Sequence, residues 1–177
     1  MGRRAGVGQN PGVTRPLLLL DVDGVLNPFD GDCPAGYAEH DLFPGEEPVR
    51  VNTAHGDWLA ELAAHFDVVW ATAWNDDANR ILGPLLGIPG FPVITMPPAP
   101  FQPGDKVTRV AAHAAGRAAA WIDDLHTTAG REWAAQRPWP TLLVSADPAL
   151  GLTREHVDLL ITWARGGARH ADPVHAR

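Results

Sequence analysis

The chain has 177 residues and a formal net charge of -7, which suits one domain with a full core and excludes a binder that holds nucleic acid through an overall basic surface. Its single cysteine, Cys33, excludes an intramolecular disulfide and a cysteine-cluster zinc site. No apolar run is long enough for a signal peptide or a membrane span, so the expected setting is the cytoplasm, with no membrane partner.

Residues 1–15 combine Gly and Arg with little to bury, and are expected to be a disordered tail before a domain over 16–166. Pro16–Val22 (PLLLLDV) is a short continuous apolar run, the pattern of a central strand covered on both faces. Residues 27–53 are rich in Pro, Gly and Asp and read as a long loop or short flap, with an extended candidate at Val49–Val51. Leu59, Leu62, Ala63 and Phe66 then recur with helical period. Asp67–Thr72 (DVVWAT) is a second strand. Asn75 reads as the cap of the next helix, with Asp76 and Asp77 in its first turn. Ala78, Ile81, Leu82 and Leu85 supply its stripe, and Gly87 and Pro89 end it.

Pro92–Met96 is a third strand, followed by a Pro-rich loop. Val107, Val110, Ala111 and Ala114 mark another amphipathic helix, Ala118–Asp123 a fourth strand, and 128–136 a weaker helix. Thr141–Ser145 is a fifth strand. Thr153 caps a last helix carrying Val157, Leu160, Ile161 and Ala164, before a loose tail at 167–177. Strands alternating with helices imply a Rossmann-like three-layer α/β/α domain with a five-stranded parallel sheet. Ligands of such sheets bind beyond the carboxyl ends of the strands.

Three of those ends carry Asp21-Val22-Asp23-Gly24, Thr72 and Asp123-Asp124. Alternate strand residues face one side, so Asp21 and Asp23 present two carboxylates together, and Gly24 permits a sharp turn. Two acids and a backbone carbonyl suit magnesium. A calcium-binding EF-hand loop is excluded, because Val25 and Leu26 stand where it needs an oxygen ligand and a glycine. The adjacent acids Asp123 and Asp124 repel each other unless a cation intervenes; a solvated turn is the plainer alternative. The Thr72 hydroxyl and the free N–H groups of the helix start would hold a phosphoryl oxygen; standing alone, Thr72 reads as a β-prone threonine satisfied locally. Among 14 basic residues Lys106 is the only lysine, and its compact ammonium would neutralise both a phosphoryl group and an attacking carboxylate; a surface lysine is the plainer alternative.

LLLLDVDGVLN, WATAW, the lysine in GDKVTRV and WIDD resemble the four motifs of the haloacid dehalogenase (HAD) superfamily, in order, across about residues 16–165. The resemblance implies a strand order 3-2-1-4-5 and a magnesium-dependent phosphatase. Asp21 would be the nucleophile and a metal ligand. Asp23 would lend its carbonyl to the metal and its side chain as general acid and then base. Thr72 and Lys106 would hold the phosphoryl group, with Ala73 and Trp74 also beside the substrate. Asp123 would ligate Mg2+ directly, and Asp124 directly or through water. The acid at Asp23 separates the chain from the dehalogenase and ion-pump branches, which lack it there.

The gaps between motifs hold no large cap domain, so an open site is expected. The tighter pattern (DVDGVLNP, ATAWN, AWIDD and TLLVSADPALGLTREHVDLLITWA) resembles the HAD domain of Swiss-army-knife RNA repair proteins. That implies a phosphorylated substrate such as an RNA or DNA end. Trp74 would stack on a base or simply pack. His126 reads as a surface or cap residue, with assistance to the leaving group as the sharper alternative. Asp30, Asp32, Glu46 and Glu47 read as a solvated face, and Gly151-Leu152-Thr153 as a strand-to-helix turn. A non-catalytic phosphate-binding module and a phosphotransferase remain the competing readings.

Overall fold

The computed structural model describes residues 14–98 and 100–168. The tails expected at 1–15 and 167–177 lie mostly outside that range.

The core strand is β1 (Leu17–Leu20), four leucines buried on both sides. Each such side chain contributes about 1.5–3 kcal/mol when removed from water. β1 pairs in parallel with β4 (Asp67–Trp70) on one side and β5 (Ala119–Asp123) on the other, and β6 (Thr141–Ser145) extends the sheet beyond β5. The order is β4-β1-β5-β6.

Strand alternation divides the core in two. Leu18, Leu20, Trp70, Ile122 and Val144 pack with α1 (Ala54–Ala63), α2 (Gly83–Leu86) and α5 (Arg154–Arg165). Leu17, Leu19, Val69, Trp121 and Leu143 pack with α3 (Pro103–His113) and, through Trp133, with α4 (Thr128–Gln136). This is the expected α/β/α sandwich. The fifth strand is a correction: Pro92–Met96 contributes one bridge, Val93 with Trp70, beside β4. Pro92 has no N–H to give, β4 itself stops at Trp70, and the Met96 amide is captured by the Asn75 side chain at 2.7 Å.

Asn75 is a second correction. It adopts φ +50 and does not cap a helix. Its side chain also donates to the Ala73 carbonyl, and the helical segment starts later, as a π-turn over Ala78–Leu82 that runs into α2. Thr153 does cap α5, accepting from the His156 amide while His156 Nδ1 accepts from Thr153 N.

Between β1 and α1, β2 (Ala38–His40) and β3 (Val49–Val51) form an antiparallel pair. Val49 and Val51 are buried against the α1/α5 side of the core, which leaves Arg50 facing the other way, toward the loop after β1.

Candidate active site

The loop after β1 is wound tightly: the amides of Val25, Leu26 and Asn27 all donate to the Val22 carbonyl. Gly24 sits at φ +73, and a Cβ there would lie 2.5 Å from Cβ of Asp124. Glycine is therefore needed twice, for the turn and for the approach of the β5 acids.

Asp21, Asp23 and Asp123 continue the strand alternation of Leu17, Leu19 and Trp121, on the face that packs against α3. That phase explains how α3 delivers Lys106. Its Nζ lies 2.5 Å from Asp21 Oδ2 and 2.6 Å from Asp123 Oδ2. Asp21 Oδ1 accepts from the Val22 amide, and Asp123 accepts from Trp121 Nε1 and the Leu125 amide. Asp21 and Asp123 are buried and Asp124 half-buried, with carboxylate oxygens of all three within 4.8 Å of one another.

Burial pushes the Asp21 carboxyl up to about 6, against the opposing pull of Lys106. Burial also raises Asp123 and Asp124. For Lys106 burial acts downward, but the carboxylates of Asp21 and Asp123 overcome it and its pKa rises. Three carboxylates against one ammonium leave two negative charges in a desolvated pocket, and every donor atom is oxygen. That set fits a hard divalent cation.

Asp23 is held separately. Its Oδ1 accepts from Asn27 Nδ2 at 2.8 Å and its Oδ2 from Trp74 Nε1 at 2.9 Å. Asn27 is itself oriented, since its Oδ1 accepts the Arg50 amide of β3 at 2.8 Å. Burial raises the Asp23 pKa while these two donors pull it down. Asn27 and the Arg50 backbone are site residues that the sequence reading left unassigned. Asn27 was inside the first motif, but nothing in the spacing ties it to β3.

Thr72 is fully buried, and its Oγ1 accepts the Trp74 amide at 3.3 Å. No helix start follows it; the amides of Trp74, Asn75, Asp77 and Ala78 are taken within the turn. Ala73 is exposed at the site, and Trp74 is half-buried with Phe43 edge-on at 5.1 Å. His126 is not a surface residue. It is buried, its Nε2 lies 3.1 Å from the Val144 carbonyl and its ring meets Trp121 edge-on, and burial lowers its pKa to about 4. The Gly151 turn packs on the motif loop, with the Leu152 amide donating to Val25 O. Asp30, Asp32, Glu46 and Glu47 are exposed.

Asp21, Asp23, Ala73, Lys106, Asp123 and Asp124 together line a cavity of about 240 Å³ at the carboxyl ends of β1 and β5. Among the described residues no helix is long and apolar enough to cross a membrane.

No curated protein and no solved structure matches the chain. The family model of the HAD domain in Swiss Army Knife RNA repair proteins matches residues 17–157, from the start of β1 into α5 and through every site residue above. With four-fifths of its length matched in order, and with the acids and the lysine of that match converging on one cavity, the chain belongs to this family of HAD domains.

Proposed function

We propose that this protein is a magnesium-dependent phosphatase that hydrolyses a phosphate monoester through a phospho-aspartate on Asp21. The observation that carries the reading is the placement of Asp21, with one carboxylate oxygen 2.5 Å from Lys106 inside the acid-lined cavity. Asp21, Asp123, Asp124 and the Asp23 carbonyl would hold Mg2+, which when bound supplies positive charge that offsets the repulsion between carboxylate and phosphate.

In the first half-reaction an Asp21 oxygen bonds to phosphorus and the ester P–O bond breaks. Asp23 gives its proton to the departing oxygen, so the alcohol leaves neutral. In the second, water attacks the same phosphorus, Asp23 takes its proton, and the acyl-phosphate bond breaks to return Asp21 and free phosphate. Lys106 stabilises the charge that builds on the phosphoryl oxygens. Thr72 is fully buried and does not line the cavity; its hydroxyl holds the Trp74 amide and so positions the turn whose exposed Ala73 borders the phosphoryl site. Family membership adds a phosphorylated RNA or DNA end to the substrates worth assaying.

Release of inorganic phosphate from an aryl phosphate and from a 3′-phosphorylated RNA oligonucleotide, with magnesium and with chelator, tests the reading. Release that needs magnesium and is lost in Asp21→Asn is expected. Release that survives in Asp21→Asn would contradict it.

A further inference from the structure

Asp23 and Ala73 line a second cavity as well as the first. This one, of about 490 Å³, lies on the other side of Asp23, under the β2–β3 segment. Its walls include Phe29, Phe43 and Trp74, and its charged lining residues are Asp23, Glu46, Glu47 and Asp77, all acids. Phe29 is 55% exposed, so its ring face is open to a ligand in this cavity. Asp77 is paired with Arg80 at 2.8 Å, but no ion pair engages Glu46 or Glu47 among the described residues.

The position of this groove has a chemical meaning if Asp23 is the general acid. A group that protonates a departing oxygen must touch it, so the rest of the leaving group has to extend from Asp23. With the phosphoryl group in the first cavity, a leaving group that touches Asp23 can extend into the second, walled by Phe29, Phe43 and Trp74. The rings offer flat apolar surface. The free carboxylates of Glu46 and Glu47 repel any further phosphate, and the chain's net charge of -7 acts in the same direction.

We infer that this groove binds the leaving group, and that it selects a single flat-ringed alcohol without further negative charge, of nucleoside size, over a strand whose next phosphodiester would lie against Glu46 and Glu47. The inference rests on the phosphatase reading above.

The test compares kcat/KM, with magnesium at low salt, for a nucleoside 3′-monophosphate and for a dinucleotide ending in the same 3′-phosphate, with 4-nitrophenyl phosphate as a third substrate. The expected result is a preference of about ten-fold for the mononucleotide, shrinking as salt is added. The double variant Glu46→Lys/Glu47→Lys should bring the two nucleotides close to equality. Equal turnover of both by the wild type, or a preference that the double variant and salt leave intact, would overturn the inference while the phosphatase reading stands. Absence of magnesium- and Asp21-dependent turnover on all three substrates would overturn the phosphatase reading, and this inference with it.

Discussion

Lys106 is the residue on which the charge balance of the site turns. Its ammonium is buried between Asp21 and Asp123, so removing it leaves two desolvated carboxylates without their partner. Lys106→Met should lose about 3–5 kcal/mol of stability without magnesium. Added magnesium should restore part of that, because a cation that binds only the folded state stabilises it by mass action. Thermal melts of the variant with and without magnesium check this, and a melting temperature equal to that of the wild type would contradict it. Phosphate release by the same variant should fall by about 100-fold or more. Trp74 is subtler. Its indole N–H is one of two donors fixing Asp23, so Trp74→Phe keeps the ring and removes the hydrogen bond. A fall in kcat of about ten-fold is expected, steepest for substrates with poor leaving groups, as measured across a series of aryl phosphates. The sequence offers Trp74 as a base-stacking or packing residue; its grip on Asp23 spans 51 positions and has no local signature.

At the scale of elements, the site is the meeting of four: the loop after β1, the turn after β4, the end of β5 and the first turns of α3. The acids were legible because continuous apolar runs end in them, and strand alternation then sets their common face. The loop and β5 touch at Gly24, where a Cβ would strike Asp124. Gly24→Ala should therefore weaken magnesium binding by about ten-fold or more through displaced Asp124, with isothermal titration as the check. What the sequence did not disclose is the coupling of the β2–β3 pair to Asp23 through Arg50 and Asn27. β2 itself, Ala-Glu-His, has no apolar alternation to reveal it. Pro92–Met96 has strand-like composition yet forms a single bridge to β4. Its pairing stops at Trp70, which donates to the Pro92 carbonyl and accepts from the Ile94 amide, and the Met96 amide then goes to Asn75, which no propensity anticipates.

For the molecule as a whole, the parallel sheet and its two helical layers follow from the alternation of apolar runs and helical stripes, and the strand order follows from the superfamily resemblance. Global stability should depend on pH through His55, which is fully buried on α1. Burial lowers its pKa to about 4. It faces the Tyr37 hydroxyl and packs against Trp58, and burial pushes the Tyr37 phenol up to about 12, so neither neighbour offers a charge. With the folded pKa below the ordinary 6.5, the unfolded chain takes up the proton first as pH falls. The neutral His55 contribution is thus present in full above pH 6.5 and is lost progressively toward pH 4, on the order of 3 kcal/mol across that window. Buried His126, lowered in the same way to about 4, adds a loss of the same sign, so denaturant melts at pH 7.5 and 5 should show the loss and His55→Gln should reduce it without abolishing it.

The central claim is that Asp21 carries the phosphoryl group. The most direct measurement is to quench turnover in acid with magnesium and substrate present, digest the protein, and weigh the peptide containing Asp21. The account predicts the mass of one added phosphoryl group on that peptide, absent in Asp21→Asn and absent with chelator. Phosphate release with no phosphorylated Asp21 peptide at any quench time, and retained by Asp21→Asn, would contradict it.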